Sequence, residues 1–208
     1  MAATDPGIKG KRLSPQLRRT QILDAAARRV VAQGYLPVQL ERLARDAGTS
    51  KALIYAYFPS QYALFNALLE REMQSLTVAG LDTASRVADV GQAVLLCAML
   101  YFEHVARTGP LLHILVSDRY MSGHVDAKWI QARDVLIRRL VVLASKQVRM
   151  NQVEIHAAIE MMSAIPEESG RLVFHGELDH ATAREVCHEL IASSLKVLKF
   201  PQSVQIPD

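Results

Sequence analysis

At 208 residues, half of them hydrophobic, the chain is long enough to bury a sizeable core, and its ten glycines and eight prolines are too few to signal disorder. Two cysteines, Cys97 and Cys187, show no metal-ligand or redox spacing and exclude a disulfide framework, so a reducing cytoplasm is the expected compartment. The net charge of +3 hides an asymmetry: residues 1–61 carry ten Lys/Arg against four acids, a balance of +6, and the remainder sums to −3, which predicts a polyanionic partner for the first quarter alone.

Apolar residues recur at three and four throughout, so the chain reads as all-α, with about nine helices, three in a basic head and six in a larger body. Residues 1–14 carry charge but no apolar segment of a secretion signal, and are expected to form a flexible basic arm. A first helix over about Leu17–Gln33 places Ile22, Ala26 and Val30 on one stripe and stops at Gly34. A second, about Gln39–Ala47, turns Leu40, Leu43, Ala44 and Ala47 inward and stops at Gly48. The third, about Ser50–Tyr57, opens on a capping serine and is ended by Pro59. Its Ile54 and Phe58 share the packing face, which leaves Lys51 and Tyr55 together on another.

The body begins with a helix from Ser60 that carries Leu64, Phe65, Leu68, Leu69, Met73 and Leu76 on its stripe and stops before Gly80. Next come about Asp89–Arg107, a shorter helix opened by Pro110, and about Val125–Val148. The longest apolar run, Ala93–Phe102, stops at Glu103, well short of the roughly 18–20 residues of a spanning helix, so no membrane association is expected. Asn151 and Glu154 form a capping box for a helix reaching about Val173, with Pro166 a predicted kink or break. A last helix covers about Asp179–Lys199. The domain boundaries so read are 1–14 for the arm, 15–60 for the head and 61–208 for the body.

The head contains Arg19-Thr20-Gln21-Ile22-Leu23-Asp24-Ala25-Ala26, Gln33-Gly34-Tyr35, Leu43-Ala44-Arg45-Asp46-Ala47-Gly48-Thr49-Ser50-Lys51 and Ile54-Tyr55-Ala56-Tyr57-Phe58-Pro59-Ser60. In residue types and spacing this stretch, roughly Leu17–Leu69, resembles the N-terminal domain of the TetR family of bacterial transcriptional regulators. The resemblance implies a three-helix helix-turn-helix head that binds double-stranded DNA at a palindromic operator. It also implies a helical body that binds an unidentified small-molecule effector, and a homodimer joined through the last two long helices. Four positions depart from the family's pattern. Gln61 replaces a basic residue, Tyr57 a histidine and Leu53 a small polar residue, and Val38-Gln39 stands where a hydroxyl residue would cap the second helix.

Phosphate contacts are expected from Lys51, Tyr55 and Tyr57, Gln39 at the start of the second helix joins the DNA-binding set, and base edges would be read by Thr49, Ser50, Ala52 and, against a thymine methyl, Leu53. Lys9, Lys11, Arg12 and Arg18 would add contacts along the backbone or in the minor groove. In the body, Cys97, Tyr101 and His104 share one face by spacing, as do His113, Ser117 and Tyr120. Polar groups on otherwise apolar helices suit a pocket for an amphipathic molecule, with Met73 and Trp129 as apolar wall, or else are satisfied core groups or surface residues.

The histidines stand at no ligand-pair spacing, so no metal or cofactor is expected. The leading function is a repressor released from its operator by the effector. The alternatives are a helical interaction protein of the same fold without effector response, and a small hydrolase-type enzyme built on Cys97, His104 and His113. No nucleophile elbow, phosphate loop or carboxylate pair supports the enzyme, so none is expected.

Overall fold

The structure, a computed structural model, describes residues 14–199, so the expected arm, apart from Ser14, lies outside the described residues. Those residues form ten α-helices and one 3-10 turn, with no strand among them. The head comprises α1 (Pro15–Gln33), α2 (Leu40–Asp46) and α3 (Lys51–Tyr57). The body comprises α4 (Gln61–Val78), α5 (Leu81–Ala84), α6 (Val90–Thr108), α7 (Leu111–Ser117), a 3-10 turn (Arg119–Met121), α8 (Ala127–Ala144), α9 (Gln152–Phe174) and α10 (His180–Lys199). The helix beyond the expected nine is α5, a single turn directly after Gly80.

Helix ends follow local chemistry. Ser14, Ser50 and Ser60 each accept a hydrogen bond from a backbone amide three residues on, and so satisfy a donor that the first turn would otherwise orphan. Asn151 and Glu154 form the reciprocal capping box at the start of α9. Gly48, at φ +54, makes the tight turn between α2 and α3, in a conformation that L side chains rarely adopt.

Two elements differ from the sequence reading, both through tertiary contacts. Helix α8 ends at Ala144, several residues early, where the Gln147 side chain takes over backbone groups of another segment. Its Oε1 accepts from Val90 N at 3.3 Å and its Nε2 donates to Ala88 O at 3.0 Å. Helix α9 runs unbroken through Pro166, which is buried on its packed face. One turn later Gly170 lets α6 approach until an added Cβ would lie 2.7 Å from Val105 Cβ.

The core of the head does not stop at α3. Ile22, Leu43, Ile54 and Phe58 pack in one cluster with Leu64, Phe65 and Leu68 of α4, Leu111 and Leu115 of α7, and Met121. A second cluster joins α6, α8, α9 and α10 around Ala93, Leu140, Ile155 and Ile191. Among the described residues no helix is long and apolar enough to cross a membrane.

Candidate nucleic-acid interface and effector region

The candidate reading surface is a seven-residue helix too short to persist alone, so its position depends on what it packs against. Ile54, 1% exposed, and Phe58 anchor α3 in the head core. The opposite side, with Lys51, Ala52, Leu53 and Tyr55, is left open to solvent. Ser50 is exposed at the N-cap, its hydroxyl accepting from Leu53 N at 3.1 Å. Tyr57 is half-buried against the head core. Thr49 differs from its neighbours: its Oγ1 is shielded from solvent and makes no hydrogen bond, so it does not face outward with Ser50.

Gln39 is exposed at the N-cap of α2 and makes no side-chain capping bond. The amide just before it, Val38 N, donates instead to Gln61 Oε1 at 3.1 Å. Gln61 therefore ties the start of α4 to the loop before α2, a role that the sequence did not reveal. Arg18 donates to Gln21 Oε1 at 2.9 Å and to Gly48 O at 3.4 Å, which sets its guanidinium against the α2–α3 turn. Lys51 Nζ lies 2.7 Å from Glu41 Oε1. Their hydrogen bond and opposite charges raise the Lys51 pKa and lower that of Glu41.

Beyond Gln61 and the shared core, polar side chains of the body bond to the head at two further places. Leu36 N donates to Asp118 Oδ2 at 2.9 Å, which ties the loop after α1 to the end of α7. Arg71 of α4 reaches Asp24 of α1 at 2.7 Å and Glu72 at 3.0 Å. Glu72 is itself buried, with Oε2 3.3 Å from His104 Nε2 of α6, close but without an aligned hydrogen bond. Arg107 lies within 3.4 Å of His104 Nδ1 and donates to Ser75 of α4 at 2.9 Å. Burial, assisted by the Arg107 charge, pushes the His104 pKa down to about 4. Neither Glu72 nor Arg71 is evident from periodicity, because the carboxylate occupies a position on the inner face of α4.

The eight residues proposed from sequence for an effector do not converge on one point. Tyr101 and His113 do meet, through Glu167 of α9: the Tyr101 hydroxyl donates at 3.5 Å and His113 Nδ1 lies 2.9 Å away. Burial foremost, with the Glu167 charge, raises the Tyr101 pKa, and the Glu167 hydrogen bond raises that of His113. His104 instead faces α4. Cys97 is buried, which pushes its thiol pKa up to about 11, and no hydrogen bond joins it to either histidine. Ser117 is exposed. Tyr120 stacks on Tyr62 with centroids 4.7 Å apart, Met73 packs against the head core, and the Trp129 Nε1 is buried without a partner. A cavity of about 30 Å³ lies among Val90, Val94, Val148, Met150, Met162 and Leu198, and none of the eight lines it.

Comparison with known proteins agrees with this geometry. The family model described as bacterial regulatory proteins of the tetR family matches residues 22–68, from inside α1 to inside α4. A nucleoid occlusion factor SlmA from Haemophilus ducreyi is 36% identical over 128 residues, covering 60% of this chain and 62% of its own. The transcriptional activator FasR from Mycolicibacterium smegmatis is 29% identical over 115 residues, 55% of this chain and 52% of its own. This chain thus spans less than two thirds of the length of those relatives. A solved TetR-like transcriptional regulator from Rhodococcus sp. RHA1 shares the fold with TM-score 0.66 and 21% identity, covering 89% of this chain and 99% of its own. Residues 22–68 thus form an N-terminal domain of the tetR family of bacterial regulatory proteins, set on an all-helical body.

Proposed function

We propose that this chain is a DNA-binding transcriptional regulator that acts as a homodimer on a palindromic operator and is released by a small-molecule effector. The observation that carries the reading is the outer side of α3, where Lys51, Ala52, Leu53 and Tyr55 stand exposed while Ile54 fixes the helix from behind. Residues 15–60 are the DNA-binding unit and 61–208 the effector-binding and dimerisation unit. Lys51, Tyr55, Tyr57, Gln39 and Arg18 hold phosphates, and Ser50, Ala52 and Leu53 meet base edges. Thr49 supports the turn rather than reading a base, since its hydroxyl is shielded. Enrichment of duplexes from a random pool tests this reading, and no preference for any sequence would defeat it. Lys51→Ala is expected to lower affinity for the enriched duplex roughly tenfold per head at physiological salt and to flatten the salt dependence by about one phosphate contact per head. Gel-shift titrations at several salt concentrations measure both effects.

The dimer reading rests on two open apolar stripes. In the single chain α9 exposes Val153, Ala157, Met161 and Ala164, and α10 exposes Val186, Leu190 and Val197. Both stripes follow the helical repeat, and pairing with a second copy would bury them. Two heads then need half-sites about 34–36 Å apart. Leu190→Glu is expected to give a monomer in sedimentation and to weaken operator binding by roughly 100-fold or more, since a single head reads only half the site. A dimer that survives this substitution would place the interface elsewhere.

The effector acts by preferring the state whose heads are misplaced for DNA. A coupling of about 1–3 kcal/mol corresponds to roughly 5- to 150-fold release. Glu167, with Tyr101 and His113 converging on it, supplies a polar anchor between α6, α7 and α9. The Arg71–Glu72–His104 contacts link α1 to α4 and α4 to α6, so a shift of α6 reaches the head through side chains already in contact.

A further inference from the structure

Lys51 is the only cation of α3, and in this structure its ammonium is already taken. Nζ sits 2.7 Å from Glu41 of α2, an exposed carboxylate on a surface that the proposed function turns toward a polyanion. Its charge sits against the cation that should reach a phosphate. By contrast, Arg28, Arg42 and Arg45 of the head are exposed, and none makes an ion pair among the described residues. The cation of the reading helix is neutralised, while these three arginines away from it make no ion pair among the described residues.

We infer that Glu41 is a specificity-setting residue: it holds Lys51 away from the phosphates of non-cognate DNA and gives it up only when α3 is seated in its operator. The inference rests on the DNA-binding reading above. Non-specific association depends on the number of phosphates neutralised, and a lysine paired with a carboxylate adds nothing to that number. Loose complexes therefore run on the unpaired arginines. An exposed lysine–carboxylate pair is weak and exchanges readily, so a phosphate held at short range by a correctly docked helix can displace the carboxylate. The penalty of separating the pair is recovered where base contacts fix the helix in the groove, and is not recovered elsewhere.

The test uses the full-length chain, the duplex it enriches from a random pool, and a scrambled duplex of the same composition. Wild type, Glu41→Gln, Lys51→Ala and the double variant are titrated on both duplexes over a range of salt. Glutamine keeps the shape of the side chain and removes its charge. Glu41→Gln is expected to raise affinity for the scrambled duplex roughly tenfold for each head engaged at about 0.1 M salt, and to steepen its log–log salt slope by about 0.9 per head. Affinity for the enriched duplex should rise less than threefold with its slope unchanged, so the ratio between the two duplexes falls. In the double variant the gain should vanish, because the effect runs through Lys51.

Equal gains on both duplexes, an unchanged scrambled-duplex slope, or a gain that survives without Lys51 would overturn the inference. A selective loss on the enriched duplex would overturn it too, since it would make Glu41 an acceptor for a cytosine amino group. Wild type that enriches no duplex defeats the DNA-binding reading together with this one. Wild type that enriches a duplex, with Glu41→Gln changing nothing, defeats this inference alone.

Discussion

Gly170→Ala is expected to destabilise the fold by about 2 kcal/mol, the overlap costing more than the helix gains. Taken alone, glycine inside a long helix is unfavourable, and alanine there should stabilise by about 1 kcal/mol. Here the added Cβ would lie 2.7 Å from Val105 Cβ and 2.9 Å from both Ala106 N and Phe102 O. Two of these three are backbone atoms of α6 and cannot rotate away, so the helices must part. Overpacking of this kind costs about 1–3 kcal/mol, and more where backbone has to move. For a chain of this size a net loss of about 2 kcal/mol corresponds to a fall in Tm of roughly 4–8 °C. Thermal melts of Gly170→Ala beside Ala132→Gly, at an exposed position inside α8, separate propensity from packing. A rise in Tm for Gly170→Ala would show that the helices yield without cost.

Acidification from pH 6.5 to 4 is expected to cost the fold on the order of 2 kcal/mol through His104. In the unfolded chain His104 takes up a proton below its ordinary value of 6.5, and in the folded chain only below about 4. Between these values the unfolded state binds more protons, so stability rises with pH across the window and is lost as pH falls. Burial is the first cause and the Arg107 charge the second. Glu72, 3.3 Å away, favours the protonated ring, but its charge is shared with Arg71, which also holds Asp24. Urea midpoints at pH 7 and 4.5 measure the effect, and His104→Gln isolates it from other groups that titrate there. The wild type should lose more between the two pH values than the variant, and equal losses would show that His104 contributes nothing to the window.

The head could be read from the sequence because its signals are local. Ser50 before an apolar repeat, Gly48 at a left-handed turn and Pro59 after Phe58 each act within a few residues, and the structure places helix ends within about two residues of the sequence reading there. Sequence spacing also put Cys97, Tyr101 and His104 on one stripe of α6. It could not say what faced them, and α6 lies between α4 and α9, so His104 meets Glu72 while Tyr101 meets Glu167. Similarly, Gln61 was visible only as a missing base, because its acceptor role depends on Val38 N, which lies 23 residues earlier.

The amino-acid sequence alone determined an all-helical chain with a basic three-helix head, since capping, turn chemistry and the 3.6-residue repeat are properties of neighbours along the chain. Tertiary structure alone decided where helix α8 stops, that α9 continues through Pro166, and that the head shares its core with α4 and α7. It also decided that Lys51 is held by Glu41 and that Glu72 is buried against His104. These depend on pairings between residues distant in sequence, and a helical repeat gives the inward direction of a side chain without naming what it meets.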